Sequence, residues 1–226
     1  MKSNIFLRVI IGTFVLLFAM CCQAAPVAKV DAINFANTIG KQLLSDFQEK
    51  DLVKRYHSLD NLLLKHVDIE YIGKFVIGKY WRIMSSEQQK KYNDIFRRYC
   101  LSYYKTLPLD FASTLVYEVA SANVDGKFTN VTAIVRFNMN DTPQEMALVF
   151  RLHEADGVIK LVDVKIAESS MLLAYRSKFY NMVVQNDEEI DWFLEDLEDT
   201  TTAWENSLNE NSSNKQNSLE IKQEKL

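Results

Sequence analysis

The side chains able to do chemistry are few: three histidines, three cysteines, and a large set of carboxylates. His57, His66 and His153 are scattered over helix-like and strand-like segments, with no ligand-like spacing to a cysteine or to one another. A zinc or other transition-metal site needs such clustering, so no metal is expected. Cys100 falls between Tyr99 and the approach to Tyr103 in an amphipathic segment, the usual setting of a small buried hydrophobe rather than a nucleophile. No glycine-rich phosphate loop, G-x-S-x-G elbow or dinucleotide fingerprint occurs, so no cofactor is expected. Asp163 is the most unusual carboxylate, set in Leu161-Val162-Asp163-Val164. A carboxylate among apolar neighbours needs hydrogen-bond donors or a raised pKa. It is read as an anchor for backbone donors or a nearby cation; the alternative is a general base facing a cavity.

Such residues would have to be positioned by two kinds of element. Residues 28–66 read as two amphipathic helices, the first with Val30, Ile33, Asn37, Leu44 and Phe47 near one face, the second with Leu52, Tyr56, Leu59, Leu62 and Leu63. Apolar residues at helical spacing continue through Tyr71 to Trp81 despite Gly73 and Gly78. Each glycine lowers helix propensity by about 1 kcal/mol relative to alanine, which predicts a compensating close approach of another backbone. Ser85 or Ser86, with Gln88 and Gln89 in capping-box register, starts a helix with Tyr92, Ile95, Phe96, Tyr99 and Tyr103 on its apolar face. Pro108 ends it.

The period then changes from helical to two. Val131, Ala133, Val135, Phe137 and Met139 share one face of a strand. Asp125-Gly126, Asn138 to Pro143 and Asp156-Gly157 supply turns on either side of it and of its successors. Four strands in a meander follow, starting near Thr114 and ending near Ile166. A helix capped by Ser169 or Ser170 and a last one from Asn186 or Asp187 complete the pattern. The expected fold is α+β: a curved antiparallel meander of about four strands covered by N- and C-terminal helices.

The ends bound the rest. Lys2 and Arg8 precede the apolar run Val9–Met20, which Cys21, Cys22 and Gln23 interrupt before small Ala24 and Ala25. This is the pattern of an exported chain, with residues 1–24 a signal peptide cleaved near Ala24; a retained anchor and a lipoprotein signal are the alternatives. Cleavage leaves Cys100 as the only thiol and 24 basic against 30 acidic residues. Nothing in that balance suits nucleic acid. Residues 25–204 read as one domain, and residues 205–226, rich in Asn, Ser, Glu, Gln and Lys, as a polar tail without fixed structure.

Three segments together resemble the MlaC family, periplasmic phospholipid-binding proteins of an ABC lipid-transport system. They are Tyr71 to Trp81 followed by Ser85 to Tyr92 and Phe96 to Tyr99; the hairpin Gly157 to Asp163; and Ile166-Ala167-Glu168-Ser169-Ser170 leading into a helix. Ser169 stands where the family commonly has glycine, and Ile159 where it commonly has an aromatic. The resemblance spans roughly residues 30–200. It implies an NTF2-like cone with an apolar cavity, and a non-catalytic, monomeric carrier that takes a phospholipid in that cavity and exchanges it with an inner-membrane ABC lipid transporter complex and an outer-membrane lipoprotein complex. Candidate cavity walls are Val131, Val135, Phe137, Met146, Leu148 and Phe150 from the strands, with Tyr71, Phe75, Tyr92, Phe96, Met171 and Tyr175 from the helices. Two other readings are an NTF2-like isomerase or dehydratase with Asp163 as base, and a non-catalytic interaction module.

Overall fold

The computed structural model describes residues 25–106, 115–139 and 142–223, with residues 211–223 as backbone alone. The apolar leader with Cys21 and Cys22, the helix stop at Pro108 and the Asn140-Asp141 turn lie outside the described residues.

Helix α1 (Lys29–Gln48) buries Ala32, Ala36 and Gly40, one residue every fourth position. That is not the face expected from its bulky residues: Val30 is 69% exposed. The reason is distance. Small residues let the helix backbone lie against the sheet, and at Gly40 even a Cβ would sit 2.3 Å from the ring of Tyr117. Helix α2 (Leu52–His66) is capped by Asp51, whose carboxylate accepts from the amides of Val53 and Lys54. It buries Leu59 and Leu62.

Helix α3 (Ile69–Ile77) is capped by Asp68, which accepts from Tyr71 N–H. It passes into a single 3-10 turn, Gly78–Arg82. The two glycines here are used differently from the backbone packing predicted. Gly73 makes room for the ring of Phe96, 3.0 Å from its Cβ position, and its carbonyl accepts from Tyr92 Oη. Gly78 ends the helix at φ +59°, a conformation that side-chain-bearing residues resist. Helix α4 (Ser86–Tyr103) begins in the expected capping box, with Ser85 and Gln88 satisfying each other's amides.

The sheet contains β1 (Val116–Asp125), β2 (Phe128–Met139), β3 (Thr142–Ala155), β4 (Val158–Ile166) and a two-residue β5 (Ser169–Ser170), all antiparallel and in chain order. The fifth strand was not expected, because Ser169 and Ser170 read as a helix cap. Ser170 does both: it pairs with Lys165 and its hydroxyl accepts from Leu173 N–H to start α5 (Met171–Gln185). The β4–β5 turn places Ala167 at φ 47° and Glu168 at φ 70°, left-handed positions that usually go to Asn and Gly. The last helix, α6 (Ile190–Gln223), runs through Glu205 instead of ending there. Arg98 on α4 holds it, with ion pairs to Glu198 and Glu205 at 2.6 and 2.5 Å.

Two apolar cores result. One lies between α1 and the sheet face carrying Ala122, Val131 and Leu152. The other joins α3, α4, α5 and α6 through a cluster that includes Tyr80, Tyr92, Phe96, Phe179 and Phe193. Tyr92, Phe96 and Tyr99 stack along α4, with Phe179 edge-on to all three, geometry worth about 0.5–1.5 kcal/mol per pair beyond area burial. The helical core reaches the sheet at β4 and at the β1–β2 turn, where Tyr71 meets Phe128 and His153. Phe128 and His153 alternate with Thr129 and Leu152, so α3 touches the face opposite α1. Among the described residues no helix is long and apolar enough to cross a membrane.

Candidate functional site

Asp163 is 5% exposed. Its carboxylate accepts from Ser170 Oγ at 2.6 Å and from Leu172 N–H at 2.9 Å. Ser170 caps α5 and Leu172 lies in its first turn, where a negative charge is favoured by the helix dipole. Asp163 is therefore the anchor that fixes α5 to β4, with each carboxylate oxygen holding one donor at the start of α5.

The histidines remain apart. His57 contacts Asn61. The ring of His66 lies edge-on to Phe35 at 5.4 Å, and its pKa is lowered by burial and by Lys65 and Lys160. His153 pairs with Asp68, Nε2 to Oδ2 2.8 Å, between the rings of Tyr71 and Phe128. This pair escaped the sequence reading. Nothing in one dimension joins Asp68 to a residue 85 positions later. Its role is visible in its neighbours: Asp68 caps α3 with one oxygen and ties α3 to β3 with the other. Cys100 lies against the helical core, where burial pushes its thiol up to about 12. Such a thiol carries almost no thiolate near neutrality and makes a poor nucleophile. No group of three potential metal ligands occurs among the described residues.

With catalytic chemistry unsupported by geometry, the apolar surfaces decide. The twelve wall candidates do not form one wall. Tyr92 and Phe96 are buried inside the helical core, with Phe75 and Tyr175 packed against it. Met171 is half-buried at the start of α5, and Tyr71 lies on the far sheet face with His153. The strand members are together on the other face. Val131 opposes Phe150 and Val135 opposes Met146, while Leu148 opposes Ala133 between them. Across the next strand Phe150 opposes Val164 and Leu148 opposes Ile166. On β1, Tyr117 opposes Val135 and Val119 opposes Ala133.

Burial along this face is graded. At the end under α1, Val131 and Leu152 are fully buried. Toward the other end Phe137, Met146, Leu148 and Val164 are only half-buried, and Ile166 is exposed. Met146, Leu148 and Val164 belong to neither core among the described residues. The second half of α1 behaves likewise, with Leu43, Leu44 and Phe47 half-buried where Ala32, Ala36 and Gly40 were buried. Among the described residues the arrangement is an apolar surface that is fully buried at one end and only partly covered at the other.

A hollow of about 740 Å³ opens elsewhere, between α2, α3, α4 and the β3–β4 turn. It has Leu64, Tyr71 and Phe96 on its apolar side, and Lys74, Arg97 and Lys160 among its charged residues. Only Tyr71 and Phe96 of the wall candidates line it.

Comparison with known proteins agrees with this architecture. The family model described as MlaC protein matches residues 35–199. No curated protein matches by sequence. Among solved structures, a phospholipid-binding protein from Ralstonia solanacearum, crystallised in complex with a phospholipid, superposes with a TM-score of 0.61 at 18% identity. The superposition covers 76% of this chain and 98% of that one.

Proposed function

Since the chain belongs to the MlaC family, we propose that it carries a phospholipid through the periplasm, its acyl chains lying on the half-buried sheet face of β1 to β4. The family is one of non-enzymatic lipid carriers, and the commitment of Asp163 to α5 fits that description. Phospholipid is the ligand of the Ralstonia solanacearum protein. The observation that carries the reading is the row Met146, Leu148 and Val164, apolar and inward-facing yet outside both cores. Hydrocarbon laid on it would complete its burial.

The physical need for such a surface is large. Each methylene taken out of water is worth about 0.8 kcal/mol, so two free acyl chains face a barrier on the order of 20 kcal/mol in crossing an aqueous gap. An apolar face that borrows the chains removes that barrier without a reactive group. Membership of the family, rather than this energy, points to the partners that fill and empty the site: an inner-membrane ABC lipid transporter complex and an outer-membrane lipoprotein complex. Export with cleavage near Ala24 puts the carrier where they are, and the N-terminal mass of the mature protein tests this: an uncut Met1 or a diacylated cysteine refutes it.

Protein purified from a membrane-bearing host and extracted with organic solvent should release about one phospholipid per chain. Leu148→Arg puts an unpaired charge on the apolar face and should abolish retention with helix content unchanged. An extract of the natural protein without lipid sinks the proposal; retention by the Leu148 variant removes that residue from the site.

A further inference from the structure

We infer that Tyr117 is the depth stop of the lipid site, the residue that decides how far an acyl chain penetrates between α1 and the sheet and hence which chain lengths the protein selects. This rests on the phospholipid-carrier reading. Tyr117 stands at the boundary between the packed and the open parts of the sheet face. On one side are Ala36 and Val131, both in the core under α1; on the other is Met146, in neither core. Its backbone is paired with Val135, in the row that continues to Met146.

The ring is held from three directions. Its hydroxyl donates to the carbonyl oxygen of Ala36 at 3.1 Å, its edge fills the space a Cβ would take at Gly40, and its centroid lies 6.3 Å from that of Phe150. Strand, helix and a neighbouring aromatic therefore all fix one rotamer. A rigid ring in the row of Val135 and Met146 is a plug: hydrocarbon that enters over Phe137 and Met146 toward α1 meets Tyr117 before it reaches Val131 in the core. Gly40 belongs to the same device, because any larger residue there would drive the ring toward the open side and shorten the site.

Tyr117→Ala removes the plug and uncovers the interval between α1 and Ala133. Each additional methylene accommodated there should raise preference about fourfold, the factor equivalent to its transfer from water. The test is mass spectrometry of lipids extracted from natural protein, Tyr117→Ala and Tyr117→Phe, produced in the same host, with circular dichroism on each. The distribution of phospholipid extracted from Tyr117→Ala should move to longer chains. Tyr117→Phe keeps the ring and loses only the bond to Ala36, so its distribution should match the natural one. Gly40→Ala should move the distribution to shorter chains, which keeps the inference testable should the Tyr117→Ala variant fail to fold. An unchanged distribution in folded Tyr117→Ala overturns the inference, as does an unchanged one in Gly40→Ala. Natural protein that yields no lipid refutes the carrier reading itself, a result separate from either.

Discussion

Replacing Asp163 by alanine removes two hydrogen bonds to a buried carboxylate, from Ser170 Oγ at 2.6 Å and Leu172 N–H at 2.9 Å. Bonds to a charged group are worth about 1.5–3 kcal/mol each. Ser170 keeps a second partner, Leu173 N–H at 3.1 Å, but Leu172 N–H is buried and is left without an acceptor. We therefore expect Asp163→Ala to lose about 3–5 kcal/mol, a large part of the 5–15 kcal/mol typical of a folded domain. Asparagine of the same shape can still accept from Leu172, while its amide donates to Ser170 Oγ in a reversed bond. Charge assistance is lost and the half-buried Ser170 hydroxyl must turn its own proton toward solvent, so the cost should fall to about 1 kcal/mol. Urea unfolding followed by circular dichroism measures both, with the same slope expected for all three proteins. Lipid extracted from the folded asparagine variant should equal that of the natural protein. A loss under 1 kcal/mol in Asp163→Ala refutes the anchoring argument, and a stable Asp163→Asn devoid of lipid shows that the carboxylate touches the ligand.

The β4–β5 turn holds Ala167 and Glu168 at positive φ, where a side-chain-bearing residue costs about 1–2 kcal/mol; Ala167→Asn with Glu168→Gly should raise stability by about 1 kcal/mol, and a lower melting temperature would contradict the turn geometry. Arg98 beside Glu198 holds that carboxyl below its usual range. Its folded pKa is thus below the unfolded value near 4.3, so the pair's stabilisation is present above that pH and is lost as pH falls through the folded value. The stability difference between natural protein and Glu198→Gln should shrink below about pH 4; a difference that persists unchanged at pH 3 counts against the pair. Cys100, with its thiol raised to about 12, should resist thiol reagents at pH 8 in the folded state and react at once in denaturant. Rapid labelling of native protein would place it in contact with solvent.

The sequence by itself determined the elements, because their signals are local. The Ser85-x-x-Gln88 box, the shift from helical to alternating periodicity after residue 114, and the Asp-Gly turns at 125–126 and 156–157 each act over a few residues, and the helix starts and hairpins fall there. The family's motif segments were legible for the same reason. The strand half of the candidate site was readable too, since alternation alone puts Val131, Val135, Met146, Leu148 and Phe150 on one face.

Only the tertiary structure decided what covers that face. Periodicity says that a residue points inward, but not how close the opposing element comes. Ala32, Ala36 and Gly40 gave a weak apolar signal, yet they form the contact surface of α1 because the space is taken by Tyr117. Tyr92 and Phe96 gave a strong one and belong to the helical core. The continuation of α6 past Glu205 was hidden in a polar segment, since the ion pairs from Arg98 that hold its start come from a residue about a hundred positions earlier. Long-range pairing, Tyr117 with Gly40 and Asp68 with His153, fixes where the protein is filled and where it is open, and no local pattern encodes it.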